Sequence, residues 1–412
     1  MGPNATGVDF GVTKLFTVSG NVIIDPNING IKDPGETNYT QTPSQLAYTT
    51  TILPLALFKP TPGTPFTSPD GTYTISQLVS GALDVFFTPP PPLPQWYMTS
   101  PLNGPPPRFN VTVGYNCDTN GAPGATCTGG NITDLDFGMV DNTPWFQSTC
   151  GDIRNDDGIL DTVPNGYYAN VTDPTCTTPG ITFTGDTDAS FGQGQNSTSN
   201  QEVGGFTYPE LFSTTTQQPE TAYTILLAKT QAAGIIPVNL TTVCQGGSLT
   251  PCTLDPALAH NVYLATSDVI LNGFTFPAGQ NYVILVHGNL TITGPITVPN
   301  GSTVIFSVSG NIIVDPTVGK APTDATASLD GWYVAGQSFI LPSAGNCNDL
   351  RLTIGGTVIV NSMGGGSFQN NRNLCRFNAV APAVGFVQRL DMILNAPSFL
   401  KQQQTVSQEL AP

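Results

Sequence analysis

SDVILNGFTFPAGQNYVILVH at 267–287 and GNLTITGPITVPNGSTVIFSVS at 288–309 align end to end. Each copy reads as a short β-branched strand, a turn, a strand running into proline, a glycine turn and a longer apolar strand. GNIIVDPTVGK at 310–320 begins a third copy, which sets a period of 21 to 22 residues. One such unit is too small to bury its own apolar face, whereas stacked copies bury a continuous core. The pattern predicts a β-solenoid. LDGWYVAGQSFILP (329–342) and DLRLTIGGTVIVNSMGGG (349–366) read as further, irregular rungs. The competing reading is a run of hairpins in an ordinary sandwich.

Composition agrees with an all-β chain. Charged residues are 10% of the 412, against roughly a quarter in ordinary soluble proteins. Glycine and proline number 44 and 37, and Thr, Asn and Ser fill much of the remainder, a profile of turns and hydroxyl-rich strands. AYTILLAKTQAAG (222–234) is the best helix candidate. The net charge of −16, with 12 basic against 28 acidic residues, argues against nucleic acid and against anionic membranes as partners. No run of 18 apolar residues occurs, so no transmembrane segment is expected.

The eight cysteines, at 117, 127, 150, 176, 244, 252, 347 and 375, match no C-x-x-C or Cys/His metal spacing. An even number in loop-like sequence points to disulfides, and so to an extracellular or cell-surface location. Short loops close at least entropic cost. The expected pairs are therefore sequential: Cys117–Cys127, Cys150–Cys176, Cys244–Cys252 and Cys347–Cys375. Sequons at Asn4, Asn38, Asn110, Asn131, Asn170, Asn196, Asn239, Asn289 and Asn300 offer acceptors for glycosylation. The N-terminus shows neither a basic nor an apolar signal region, and the chain reads as mature or as a piece of a larger surface protein.

Residues 1–140 form a separate unit, in which KLFTVSGNVII, TILPLALF, GTYTISQL, ALDVFFT, RFNVTVGY and ITDLDFGMV alternate with turns, as in a β-sandwich. The proline-rich stretch at 88–107 is expected to be a polyproline II spacer. Between the first two segments lies DPNINGIKDPGE (25–36), which fits the calcium-loop pattern D-x-[DN]-x-[DN]-G-x₅-E. The template assigns Asp25, Asn27 and Asn29 to positions 1, 3 and 5, the turn to Gly30, a backbone carbonyl to Ile31, position 9 to Asp33 and a bidentate carboxylate to Glu36. The flanks read as strands, so calcium here would fix a sandwich loop instead of opening a pair of helices. No comparable spacing occurs in GDIRNDDGILD (151–161), whose Asp152, Asp156, Asp157 and Asp161 read as an exposed acidic turn, the alternative being a calcium site of other geometry.

The order of motifs in this unit resembles the SdrD B-like, prealbumin-like domain of bacterial surface adhesins. The resemblance rests on SGNVIID leading into the 25–36 loop, on SPDGTYTISQLVSGALDVFFTPP, and on TDLDFGMV as the closing strand. It covers about a third of the chain; Ala82-Leu83 and the proline-rich insertion depart from the pattern. It implies a calcium-binding sandwich. The second part, 141–412, resembles solenoid modules of bacterial surfaces that close on a terminal segment, here LNAPSFLKQQQTVSQELAP (394–412).

Catalytic patterns are missing from the sequence. His260 and His287 stand apart from any motif, and no G-x-S-x-G, H-E-x-x-H or phosphate loop occurs. Lys14 and Asn131 are a conceivable isopeptide pair for which the sequence names no buried acid. The expectation is an extracellular structural or adhesive protein, not an enzyme, stabilised by calcium and disulfides. Its expected partners are further copies of itself, joined head to tail through the alternating residues Val8, Phe10, Val12 and Leu15, and surface glycans or other surface proteins. The alternative is a carbohydrate-active β-helix enzyme or a carbohydrate-binding module.

Overall fold

The computed structural model describes residues 14–40, 45–50, 70–88, 96–102, 107–149, 222–240, 261–360 and 367–400, with short strands at 153–155, 170–171, 182–184 and 201–203. The chain divides into two compact units, Met1–Asn142 and Thr143–Pro412. Nearly all regular structure is β.

The described residues of the first unit form nine strands: β1 (Phe16–Ile24), β2 (Gln45–Thr50), β3 (Thr72–Leu78), β4 (Gly81–Thr88), β5 (Trp96–Ser100), β6 (Arg108–Val113), β7 (Thr126–Thr128), β8 (Asn131–Thr133) and β9 (Phe137–Asp141). Along β1 buried residues alternate with partly exposed ones, as a strand with one buried face requires. It pairs antiparallel with β3 on one side, and parallel with β8 and then β9 on the other. A second sheet, β2-β4-β6, is antiparallel. Both sheets feed one core: Val18 and Val22 from β1, Val85 and Phe87 from β4, Phe109 and Val111 from β6. The Phe137 ring meets Tyr73, Phe87 and Phe109 there. Where the chain steps from β8 to β9 it presses on Gly20, whose missing Cβ would lie 2.0 Å from the Leu135 carbonyl oxygen. Any side chain at that point would force the strands apart.

The second unit begins with β10 (Phe146–Thr149), β11 (Ile153–Asn155), β12 (Asn170–Val171), β13 (Thr182–Thr184) and β14 (Gln201–Val203), then helix α1 (Ala222–Ala232) and β15 (Val238–Asn239). The rungs come next as β16 (Val262–Ala265), β17 (Val269–Thr275), β18 (Asn281–Val286), β19 (Leu290–Thr297), β20 (Thr303–Val308) and β21 (Ile312–Val314). After them lie β22 (Leu329–Ala335), β23 (Phe339–Leu341), β24 (Leu352–Val360), β25 (Phe368–Asn370), β26 (Val384–Val387) and a short helix, α2 (Leu390–Leu394).

These strands pair in parallel, which excludes hairpins and establishes the solenoid. In one ladder Val262, Val283, Ile305, Trp332 and Thr357 are successive partners, at steps of 21, 22, 27 and 25 residues. In the other, Val269, Leu290, Ile312, Phe339 and Phe368 succeed one another at 21, 22, 27 and 29. The period read from 267–320 is thus the bare rung, and later rungs are the same unit with insertions at their corners. Inside, like residues stack rung on rung: the Phe306 and Tyr333 rings lie 5.2 Å apart and nearly parallel, and Phe339 stacks on Phe368.

The outward face of the first ladder is apolar too, and it is covered. Helix α1 lays Tyr223, Leu226 and Leu227 against Val262, Val283, Leu285 and Ile305. Strong helix formers such as Ala, Leu, Lys and Gln dominate its sequence, and Gly234, at φ +69°, lies just past its end.

A polar column runs up one corner of the second ladder. Asn289 N donates to Asp268 Oδ1 (2.8 Å), Asn311 N to Asn289 Oδ1 (2.8 Å), Ser338 N to Asn311 Oδ1 (3.0 Å) and Ser367 N to Ser338 Oγ (3.0 Å). Each short polar side chain therefore satisfies the backbone of the next rung, where the chain turns and the ladder cannot.

The insertions are pinned. Arg372 is fully buried and donates to the carbonyls of Val318 (2.6 Å), Leu350 (3.0 Å) and Asp315 (2.9 Å). Burial lowers its pKa to about 10, partly offset by Asp349 and Asp315. The Cys347–Cys375 disulfide, with Cα atoms 5.5 Å apart, ties the next insertion. The C-terminal segment is stapled by Arg389, which bonds Asp391 at 2.7 Å and Asp330 at 3.2 Å.

Along the first half of β24, residues 352–355, which pair with β26, the stack is closed by the start of the unit itself. β26 pairs with β10, and β10 with β12, all parallel. The Trp145 indole is buried and donates to the Asn378 carbonyl at 2.6 Å. A sequence scan sees no cap at that end because the capping strand precedes its partner by more than two hundred residues.

Candidate metal centre in the loop after the first strand

Asp25 directly follows β1 and is fully buried. Its Oδ1 accepts the Asn29 N–H (3.2 Å), and its Oδ2 accepts the Gly30 N–H (2.9 Å) and the Thr99 hydroxyl. Space for this carboxylate comes from Gly138 in β9, where a Cβ would lie 2.7 Å from Asp25 Oδ2. Sequence reasoning missed Thr99 and Gly138. A glycine inside the apolar strand DFGMV was the available signal, since such a residue marks a close approach.

The loop turns through Ile28 (φ +62°) and Gly30 (φ +73°). A left-handed Ile is strained, at a cost of order 1 kcal/mol or more, and the hydrogen bonds around Asp25 hold it. Asn27 and Asn29 point their amide groups at Asp33 Oδ2, at 2.7 and 2.6 Å. Their own Oδ1 atoms accept the N–H groups of Asn29 (3.2 Å) and Ile31 (2.8 Å). Glu36 Oε2 accepts the Asp33 N–H at 3.0 Å, while Oε1 is buried without a hydrogen-bond partner. Desolvation raises the Glu36 pKa; the Asp33 N–H opposes this, and the charges of Asp25, Asp33 and Asp136 add to the rise. Ile31 lies against Gly124, in the loop closed by Cys117–Cys127 (Cα–Cα 6.0 Å), so that disulfide braces the loop from outside.

All six expected ligands thus share one loop. They do not form a cage of acids: among the described residues, no three His, Cys, Asp or Glu side chains converge at metal-binding distance. Asn occupies the middle positions, and its amide hydrogens stand where a cation would face Asp33. The donor set is nonetheless hard oxygen throughout, the chemistry calcium prefers. A divalent cation would replace the two amide-to-Asp33 bonds once both carboxamides turned their oxygens inward, and it would supply the partner that Glu36 Oε1 lacks.

Elsewhere, Cys150, Cys176, Cys244 and Cys252, the side chain of Asn170, Asn4, Asn196, His260, the acids of 151–161 and Val8, Phe10 and Val12 lie outside the described residues. Asn110, Asn239 and Asn300 are exposed. Asn38, Asn131 and Asn289 have their carboxamides engaged, with Asp70 O, Thr17 N and the corner column respectively. Lys14 Nζ donates to the Gly129 carbonyl at 3.0 Å. His287 stands directly after β18 and its ring lies 6.0 Å from Tyr223. No helix among the described residues is long and apolar enough to cross a membrane.

Comparison with protein families, with curated proteins and with solved structures finds no match to this chain.

Proposed function

We propose that the chain is an extracellular structural or adhesive protein of a cell surface, whose first unit is stabilised by calcium at Asp25, Asn27, Asn29, Ile31, Asp33 and Glu36. The observation that carries this reading is the buried Asp25 at the head of a loop that gathers six oxygen-bearing positions and leaves Glu36 Oε1 without a partner. Two disulfides among the described residues, a solenoid with an apolar outward face covered by helix α1, and the resemblance of 1–140 to adhesin domains support the extracellular part. The reading assigns no catalysis. Self-association head to tail, through strands added at the rung ends, would make the protein a filament subunit.

The test is thermal unfolding of the full chain in millimolar calcium and in chelator. Extracellular calcium sites commonly bind at about 10⁻⁴–10⁻³ M, and linkage gives about 2.7 kcal/mol at a hundredfold excess over Kd. The first unit should melt several degrees higher in calcium, and Glu36→Ala should abolish most of the difference. Identical melting with and without calcium would remove the metal from the reading. Electron microscopy in calcium tests the assembly, with a uniform monomer as the contrary result.

A further inference from the structure

On the outward face of the strands paired through Leu329, Ile354 and Phe386, beside the 315–328 insertion, three buried polar atoms lack partners: Ser328 Oγ, Thr353 Oγ1 and Arg351 Nε. Ser328 and Thr353 are 3% and 2% exposed. They are neighbours in adjacent rungs, with Ser328 N donating to Thr353 O at 2.8 Å. Thr353 pairs in register with Gly385, and Gly385 with Gln147. Register partners in a parallel ladder share a face, with strands about 4.8 Å apart. Gly385 therefore leaves a slot between the Thr353 hydroxyl and the position of Gln147. A Cβ on Gly385 would meet Thr353 Oγ1 at 3.5 Å and Arg351 Nη2 at 3.8 Å, so the hydroxyl and the guanidinium converge on the same point.

Among the described residues Arg351 makes no ion pair. Its side chain holds a long hydrogen bond, from Nη1 to the Pro322 carbonyl at 3.4 Å. Its backbone bridges to Lys320 in both directions at 2.9 Å, which places a second cation on the same side. Lys320 Nζ is held by Thr326 Oγ1. The acid acting on Arg351 is Asp324, which already accepts from Thr326 N (2.9 Å) and Thr326 Oγ1 (2.6 Å). In a chain of net charge −16, an unpaired guanidinium among buried hydroxyls needs a counter-charge: such groups cost free energy unless an ion or water satisfies them.

We infer that Arg351, Thr353 and Ser328, around the slot left by Gly385, form a binding site for a small oxyanion of carboxylate or sulfate size. The guanidinium supplies a planar donor fork, and the two hydroxyls donate beside it. The site lies on the solenoid and does not depend on the calcium reading of the first unit.

The test is the unfolding temperature of the full chain in sodium acetate, sulfate and phosphate, each against sodium chloride at matched ionic strength. A rise of roughly 5 °C at a hundredfold excess over Kd, growing with the logarithm of anion concentration, is expected. Acetate leading identifies a carboxylate site, and sulfate or phosphate leading identifies a tetrahedral one. Thr353→Val, which keeps shape and removes a donor, should require at least tenfold more anion for the same rise. Gly385→Ala, whose methyl enters the slot at ordinary contact distance, should weaken the response too. Equal behaviour of all anions and chloride, the result for a site filled by water alone, overturns the inference. So does a response unchanged in both variants.

Discussion

Replacing Asn311 by alanine should cost far more than its half-exposed position on a solenoid corner suggests. The side chain does one thing that no neighbour can: its Oδ1 accepts the Ser338 N–H at 3.0 Å. Ser338 is 7% exposed, so after truncation its N–H meets neither protein acceptor nor bulk water. A buried donor left unsatisfied costs about 1–3 kcal/mol. Asn311 keeps its own N–H bond to Asn289, so the rung below stays intact and the loss is confined to one link. Asn311→Asp retains an acceptor at the same place and should recover most of the loss. Thr291→Ala, on the outward face of the neighbouring strand, should lie within about 0.5 kcal/mol of the parent. Urea unfolding of the full chain, together with hydrogen exchange at Ser338, measures both. If Asn311→Ala were as mild as Thr291→Ala, with Ser338 equally protected, the corner column would contribute nothing and the reasoning would fail.

The two observed disulfides should differ in worth. Chain-entropy arithmetic gives about 3.6 kcal/mol for the 28-residue closure at Cys347–Cys375 and about 2.7 kcal/mol for the 10-residue closure at Cys117–Cys127; paired Cys→Ser variants in urea would show the order, and a reversed order contradicts it. Acid should loosen the C-terminal segment. The Arg389 hydrogen bond, despite some desolvation and helped by the Gly301 N–H, holds Asp391 at a pKa of about 2, below its unfolded value near 3.9. A depressed folded pKa means that its stabilisation is present above pH 4 and is lost as pH falls toward 2. Asp391→Asn should therefore flatten the stability profile in that window, and parallel profiles for parent and variant would refute the assignment.

Two nearly identical octapeptides show what a sequence does and does not carry. SGNVIIDP (19–26) and SGNIIVDP (309–316) both place a strand before an aspartate. The first strand lies in a mixed sheet between β3 and β8–β9, and the second between two parallel rungs. Alternating apolar residues specify a strand in both; the residues after the aspartate differ, and so do the partners. After Asp25 the loop returns its N–H groups to the carboxylate from Asn29 and Gly30. After Asp315 a tight turn gives it Thr317 N and Oγ1 instead, at 2.9 and 2.6 Å. The solenoid was legible because two rungs carry no insertion. Rungs of 25 to 29 residues hide the same unit, since their extra length sits at corners held by Arg372 and a disulfide. The corner column was legible in principle, as a short polar residue before Val269, Leu290, Ile312, Phe339 and Phe368. The support of Asp25 by Thr99 was not, because that contact spans 74 residues.

The pairing of β10 with β26 also governs the order in which the second unit can form. Phe146 and Val384 are partners, yet 238 residues separate them, while neighbouring bare rungs are 21 or 22 apart. Closing the longer loop costs about 2 kcal/mol more in chain entropy than closing one rung. The rungs should therefore assemble first, each on the last, and the opening segment of the unit should join at the end. During synthesis it is made early and waits until Val384–Val387 has emerged. In that interval the edge of β26 has no partner and Phe386 lacks the ring of Phe146 that it meets in the finished protein. A growing solenoid of this design is thus most exposed to mispairing with a second nascent chain just before its own first strand closes it.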